Sequence, residues 1–211
     1  MKPDYAKHLR GLYIVTPDWD DTAQLLTATE LALQNGAALV QYRHKTADPA
    51  QRRDQASALL ALCRQYEVPL IINDHVDLCL EIDADGIHVG GTDASIAEVR
   101  QAVGPDRIVG ASCYGTLELA HAAHRDGASY VAFGGFYPSR VKKYDFRTAP
   151  EIIAQSKREI ALPVVVIGGI TLENAPPLVA QGADMVAVIS SVYLVPVAER
   201  KTRELADLYR F

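Results

Sequence analysis

The sequence predicts a single (β/α)8 barrel domain over residues 1–211, and three observations support this prediction. Eight short runs are continuously apolar rather than alternating, which is typical of parallel strands covered on both faces. Segments with helical spacing separate these runs, as the crossovers between parallel strands require. Gly-Ala pairs at 36–37, 127–128 and 182–183 precede the second, sixth and eighth runs, as expected where helices end.

A doubly wound open sheet is the alternative fold. Such sheets usually have fewer units and a glycine-rich turn after the first strand. Thr16-Pro17-Asp18 stands at that place in this chain, so the closed barrel is favoured.

The predicted strands are rich in branched apolar residues. They cover, in chain order, residues 11–16, 38–43, 69–74, 86–90, 107–112, 130–134, 164–168 and 185–190. Asp48 before Pro49 predicts one helix start, and Ser95 with Glu98 fits a capping box at another. Thr171 is predicted to open the helix after the seventh strand, and the chain closes with a helix.

Charge and cysteine usage exclude several classes of protein. A net charge of -5 argues against general binding to nucleic acids or anionic membranes. Cys63, Cys79 and Cys113 are widely spaced, which indicates buried free thiols rather than disulfides or a zinc site. The sequence contains no apolar signal core and no membrane-length run, so we expect a soluble cytoplasmic protein that acts on small molecules. Assembly into a homo-oligomer stays open.

Polar residues follow the predicted strands at their carboxyl ends, where barrels of this kind carry their chemistry. Asn73 and Asp74 come directly after an apolar run. A carboxylate there does not serve packing, because burying it is costly unless it is paired or binds a metal. The other strand ends share this polar or glycine-rich character. They contribute Gln41, Arg43, Lys45, His88, Asp93, Ser112, Ser139, Arg140, Lys142, Gly169 and Ser190. The sequence therefore predicts one functional site at this end of the barrel.

Two aspartates and a set of cations indicate how that site binds phosphate. Asp74 and Asp93 follow adjacent strands, so their carboxylates can share one Mg²⁺, which completes its octahedron with phosphate oxygens and water. Cations that can hold phosphate are Arg43, Lys45, Arg140, Lys142 and Lys143. A metal together with several cations predicts a substrate that carries more than one phosphate.

Two further strand ends predict a second phosphate position. Gly168-Gly169 follows the seventh strand and Ser190-Ser191 the eighth, where barrels often bind phosphate on backbone N–H groups. His88 lies inside the fourth strand. We interpret it first as a core histidine with satisfied hydrogen bonds, and catalysis is the alternative.

From residue 11 to residue 191 the chain resembles the thiamine phosphate synthase family. Each matching segment is weak alone, but their order and spacing are specific. The segments are GLYIVT at 11–16, QYRHK at 41–45, IND at 72–74, GIHVG at 86–90 with Asp93, GAS at 110–112, YPS at 137–139 with Lys142-Lys143, IGGI at 167–170 and VIS at 188–190. The resemblance implies a Mg²⁺-dependent transferase of thiamine biosynthesis. Such an enzyme joins hydroxymethylpyrimidine diphosphate to a thiazole phosphate, or its carboxylated form, and releases pyrophosphate.

The resemblance also implies roles for individual residues. The pyrimidine diphosphate would be held by Gln41, Arg43, Lys45 and Asn73, with Ser112 on the pyrimidine. Mg²⁺ would bind Asp74 and Asp93. The thiazole phosphate or the departing diphosphate would be contacted by Ser139, Lys142, Gly169, Ile189 and Ser190. The residues expected to act directly on the reaction are Arg43, Lys45, Ser112 and Lys142.

The chain departs from the family pattern in three places. His44 stands where an acidic residue is usual, and Gly91 where a glutamine is usual. A stretch that normally carries two threonines has Ser139 and Val141, with Arg140 between them as a substitute cation.

Other functions stay open at this point. The related thiazole tautomerases lack the metal-binding aspartate and use a histidine just after the fifth strand, whereas this chain has Asp74 and the sequence Ser112-Cys113-Tyr114. A catalytically silent barrel that binds a phosphorylated ligand is a second alternative. A sugar-phosphate isomerase is a third, but it would need a general base and one phosphate site.

Overall fold

The computed structural model describes residues 9–90, 95–139, 145–196 and 198–210. Eight parallel strands close into a barrel in the order β1 to β8, so the predicted (β/α)8 fold is confirmed. The strands are β1 Gly11–Val15, β2 Ala37–Tyr42, β3 Leu70–Asn73, β4 Gly86–Val89, β5 Ile108–Tyr114, β6 Tyr130–Phe133, β7 Val164–Ile167 and β8 Met185–Val188. All except β5 end one or two residues before the predicted limit.

Helices cover the outside of the barrel. In the described ranges they are α1 Thr22–Gln34, α2 Pro49–Gln65, α3 Val76–Glu81, α4 Ile96–Val103, α5 Leu117–Arg125, α6 Glu151–Glu159, α7 Ala175–Ala180, α8 Ser190–Tyr193 and α9 Ala198–Asp207. None of these helices has the length and apolar character needed to cross a membrane.

The predicted helix starts are confirmed except at α7. Asp48 accepts the N–H of Gln51 at 2.9 Å, and Ser95 and Glu98 form a reciprocal capping box. The helix α7 begins at Ala175 rather than at Thr171. The N–H of Thr171 instead donates to Asn174 Oδ1 at 2.8 Å, so the chain makes a turn before the helix starts.

The buried residues form two layers, because alternate strand residues point to opposite faces of the sheet. The larger cluster lies between strands and helices and includes Leu25, Leu59 and Val99. The smaller cluster fills the barrel interior. It comprises Leu9, Tyr13, Val15, Leu39, Ile71, Ile108, Tyr130, Ala132, Val165, Met185, Ala187 and Ile189. The interior is therefore packed below the carboxyl ends of the strands.

Strand β5 runs two residues beyond its predicted end. The pairing of β5 with β6 shifts register between Ser112 and Tyr114, so the strand continues past an irregularity of the β-bulge type. Bulges are common beside active sites, because they re-aim side chains. The three predicted cysteine thiols are free and buried, as expected.

We expect Gly110→Ala to lower the free energy of unfolding by about 1–3 kcal/mol, because an added Cβ would overlap the buried ring of Tyr130. Gly90→Ala is the matched control. Among the described residues, the atom nearest to that Cβ would be Asp74 Oδ1 at 3.9 Å, so we expect a smaller change. Urea unfolding measures both variants, and equal losses would contradict this account of the interior packing.

Candidate active site

A cavity of about 160 Å³ opens at the carboxyl ends of the strands. Most of the predicted site residues that the structure describes line it: Gln41, Arg43, Lys45, Asn73, Asp74, His88, Ser112 and Ile189. The charged members come from β2, β3 and the segments that follow them. The facing wall is apolar and is built from β6, β7 and β8, with Ala132, Val165, Ile167 and Ala187.

Arg43 is the most buried cation of the cavity, with 8% of its surface exposed. Its Nη1 donates to both carboxylate oxygens of Asp18, at 3.1 and 3.2 Å. Thr16 ties the two strand ends together, because its hydroxyl donates to Arg43 O at 2.9 Å and accepts the Arg43 N–H at 2.8 Å. The buried Nε of Arg43 has no hydrogen-bond partner among the described residues. A buried charged donor without a partner is costly, and an anion would satisfy it only after the surrounding side chains move.

Lys45 and Asp74 form an ion pair across the ends of β2 and β3. Lys45 Nζ lies 2.5 Å from Asp74 Oδ2, and Asn73 Nδ2 donates to the same oxygen at 2.7 Å. Asp18 Oδ1 accepts the backbone N–H of Lys45 at 2.8 Å, so one carboxylate orients both cations. Asp74 has a φ of 63°, a left-handed conformation that aspartate tolerates better than most residues.

The ion pair keeps Asp74 ionised. Burial by itself raises the pKa of the Asp74 carboxyl, but the hydrogen bond and charge of Lys45, together with the Gly90 N–H, lower it more. The net pKa therefore lies below its ordinary value. Half of the Lys45 side chain is exposed, so the ammonium group can move from Asp74 toward a ligand.

The donor chemistry around Asp74 fits Mg²⁺ in part. The described residues supply one carboxylate beside an amide, and Mg²⁺ uses one or two protein carboxylates with substrate phosphate and water. Among those residues no three His, Cys, Asp or Glu side chains gather as a protein-only metal cage. The second predicted ligand, Asp93, lies outside the described residues, and so do Arg140, Lys142, Gly91, Val141 and Lys143.

His44 does not line the cavity. It is 4% exposed, its Nδ1 accepts the Ala47 N–H at 3.0 Å, and its Nε2 faces Asp20 at 3.3 Å. The acidic residue usual in the family is therefore replaced by a side chain that packs into the loop after β2.

A second cavity of about 280 Å³ lies beside the ends of β7 and β8. Gly169, Ser190, Pro138 and Lys201 line it. Gly169 and Ser190 belong to the strand ends for which the sequence predicts a phosphate position. Gly169 has a φ of 64°, and a Cβ there would come within 2.8 Å of Tyr137 O, so glycine is required. Ser139 follows Pro138 and lines neither cavity.

A chain of hydrogen bonds crosses the barrel interior at the base of the first cavity. Gln41 Nε2 donates to Tyr13 OH at 2.6 Å, and Tyr13 OH lies 2.8 Å from Tyr130 OH. Tyr130 OH lies 2.9 Å from His88 Nδ1, and His88 Nε2 lies 2.9 Å from Ser112 Oγ. His88 is thus a core histidine with both ring nitrogens bonded, and it also lines the cavity.

Sequence reasoning did not single out Tyr13, Tyr130, Thr16 or Asp18 as parts of the site. The signal for the tyrosines was available, because a buried tyrosine in a strand needs a partner for its hydroxyl. Thr16 and Asp18 follow β1 in the same way that the predicted residues follow the other strands.

We expect Lys45→Met to raise the pKa of the Asp74 carboxyl, because burial continues to oppose ionisation while the ammonium group is gone. Asp74 then loses its charge at a higher pH than in the wild type. NMR titration of the Asp74 carboxyl carbon measures the change. Lys157→Met is the control, since Lys157 pairs with Asp184 before β8. An unchanged Asp74 pKa in Lys45→Met would show that the Lys45 ammonium group does not lower the pKa of that carboxyl.

Comparison with known proteins identifies the family. The family model described as thiamine monophosphate synthase matches residues 12–192. The chain is 64% identical to the thiamine-phosphate synthase of Janthinobacterium sp. (strain Marseille) over 96% of this chain and 98% of that protein. It is 51% identical to the corresponding protein of Thiobacillus denitrificans over 94% of each chain.

A solved structure agrees with these relatives. The thiamine phosphate pyrophosphorylase from Pyrococcus furiosus superposes with a TM-score of 0.83 at 31% identity, over 95% of this chain and 96% of that one. The match spans the barrel and the strand ends that form the cavity. The chain therefore belongs to the thiamine monophosphate synthase family.

Proposed function

We propose that this protein joins hydroxymethylpyrimidine diphosphate to a thiazole phosphate, or its carboxylated form, to give thiamine phosphate and pyrophosphate. One observation carries the proposal. In a member of this family, Arg43, Lys45 and Asp74 meet at one side of a cavity whose facing wall is apolar. Such a cavity suits a ligand with an anionic end and an uncharged ring.

The diphosphate end of the substrate is assigned to Arg43 and Lys45. The Arg43 guanidinium is fixed by Asp18 and keeps a buried Nε–H for a phosphate oxygen. Lys45 lines the same cavity, and its half-exposed side chain pairs with Asp74. Positive groups fixed in advance stabilise the charge that develops on a departing diphosphate.

We infer that Mg²⁺ binds Asp74 and Asp93 when the diphosphate is present. The ionised state of Asp74 and the neighbouring Asn73 amide support this inference. When bound, Mg²⁺ supplies charge neutralisation of the diphosphate leaving group. Lys45 pairs with Asp74 in the structure and would have to move to a phosphate oxygen to leave the carboxylate to the cation.

The pyrimidine ring is assigned to the first cavity and the thiazole phosphate to the ends of β7 and β8. Gln41 and Ser112 offer polar contacts to the pyrimidine beside the apolar wall. The thiazole phosphate is assigned to Gly169, Ile189 and Ser190, with Ser139, Arg140 and Lys142 on the adjoining segment.

The proposed reaction needs no protein nucleophile. The aminopyrimidine stabilises the cation that forms when the C–O bond to the diphosphate breaks, and the thiazole nitrogen donates the electron pair of the new bond. Positioning and charge stabilisation therefore account for the protein's part. Burial raises the pKa of Cys113 to about 12, so the thiol just after Ser112 stays neutral and is a poor nucleophile.

A coupling assay tests the proposed function. Purified protein with both precursors and Mg²⁺ should release pyrophosphate and form thiamine phosphate, with each thiazole form supplied separately. A tautomerase or a silent phosphate-binding barrel would release no pyrophosphate. Absence of pyrophosphate with both thiazole forms would refute the proposal.

We expect Asp74→Asn to lower kcat/KM by about 10²–10³-fold and to weaken the dependence on Mg²⁺, because the neutral amide offers the cation no charge. Asp184→Asn is the control, since that carboxylate accepts the Val164 N–H at the start of β7, at the opposite end of the strand from the cavity. Initial rates over a range of Mg²⁺ concentrations measure both. Wild-type kinetics in Asp74→Asn would contradict the assignment of Mg²⁺ to Asp74.

A further inference from the structure

The hydrogen-bond chain from Gln41 to Ser112 has one direction. Its four links join five side chains, in the order Gln41, Tyr13, Tyr130, His88 and Ser112. Each tyrosine hydroxyl and the neutral imidazole has one proton to donate and must accept at its other link. Both phenols are fully buried, and burial raises their pKa values, so both keep their protons.

The direction follows from the amide at one end. Gln41 Nε2 can only donate, so Tyr13 accepts from it and donates to Tyr130. Tyr130 then donates to His88 Nδ1, and the imidazole proton lies on Nε2, where it is donated to Ser112 Oγ. The opposite direction at any one link would leave a buried hydroxyl proton without a partner, which costs about 1–3 kcal/mol.

The two ends of the chain face the cavity with opposite polarity. Ser112 Oγ accepts from His88, so its own proton is available to a ligand. Gln41 uses its amide nitrogen on Tyr13, so its Oε1 is available as an acceptor. Both residues line the cavity, whereas Tyr130 does not and acts only through its neighbours.

We propose that this hydrogen-bond chain from Gln41 to Ser112, here called the relay, fixes a donor at Ser112 and an acceptor at Gln41. Tyr130 and His88 are then positioning residues, and the fixed donor and acceptor select an aminopyrimidine. An aminopyrimidine edge offers an amino donor and a ring-nitrogen acceptor, which complement the two ends. A 4-oxopyrimidine reverses both, since its carbonyl accepts and its ring N–H donates. This selectivity rests on the function proposed above, but the relay itself does not.

Proton positions on His88 test the relay without any substrate. In ¹⁵N-labelled protein at pH ~8, above the ordinary pKa of histidine and glutamate, the His88 proton should lie on Nε2. Loss of a signal in His88→Gln assigns the resonances. Gln41→Glu places a carboxylate, which only accepts, at the start of the relay. Every link should then reverse, and the His88 proton should move to Nδ1.

The double variant Gln41→Glu, Tyr130→Phe removes the hydroxyl that transmits the reversal. The ring nitrogen that carries the His88 proton should then no longer depend on the residue at position 41. Two results would overturn the relay: a His88 proton that stays on Nε2 in Gln41→Glu, or a proton position that still differs between Tyr130→Phe alone and the double variant. Neither result depends on turnover, so failure of the relay and failure of the proposed function are distinguishable.

Substrate preference tests the selectivity. In Tyr130→Phe, the ratio of kcat/KM for the 4-amino over the 4-oxo pyrimidine diphosphate should fall about three- to tenfold, the equivalent of one hydrogen bond. Tyr193→Phe is the matched control, because its buried hydroxyl bonds Thr29 away from the relay. Tyr13→Phe cuts the same relay one link earlier and serves if Tyr130→Phe does not fold. A preference unchanged in the folded Phe variants would contradict the proposal.

Discussion

The ion pair between Lys45 and Asp74 depends on two neighbouring parallel strands that end at the same level. In the register of β2 with β3, Gln41 lies opposite Ile71 and Tyr42 opposite Ile72, so the residues that follow both strands meet at one rim. Barrel closure adds the facing wall, because β8 pairs with β1 and β7 pairs with β8. An open sheet would give the ion pair but not the enclosed cavity.

The Arg43 and Lys45 side chains are stable at the cavity because the Asp18 carboxylate accompanies them. An unpaired buried guanidinium would be strongly destabilising, and Asp18 supplies both the charge and the fixed geometry for Arg43. The same carboxylate holds the backbone of Lys45, so the two cations are oriented together. Positive groups fixed in advance at one side of a cavity are the arrangement expected for a site that must stabilise a charge developing in the transition state.

The fold was predictable because its signals are local. Continuous apolar runs identified all eight strands, and the capping residues Asp48 and Ser95 marked two helix starts. The predicted start at Thr171 was wrong because Asn174 forms a turn with it before the helix begins. The end of β5 was also missed, since a register shift depends on the partner strand.

The site was predictable at the level of strand ends but not of hydrogen bonds. Asn73 and Asp74 are conspicuous because a carboxylate after a buried strand has no packing role. The links between Tyr13, Tyr130 and His88 join residues from β1, β6 and β4, and only the closed barrel brings these strands' side chains together. Long-range partnership of this kind has no signature in local spacing.

A crystal structure of the protein with Mg²⁺ and pyrophosphate tests the central claim most directly. We expect phosphate oxygens on the Arg43 guanidinium and Lys45 Nζ, and a cation on the Asp74 carboxylate, with the Lys45–Asp74 contact opened. Pyrophosphate bound elsewhere, with Lys45 still on Asp74 and no ion at that carboxylate, would contradict the account.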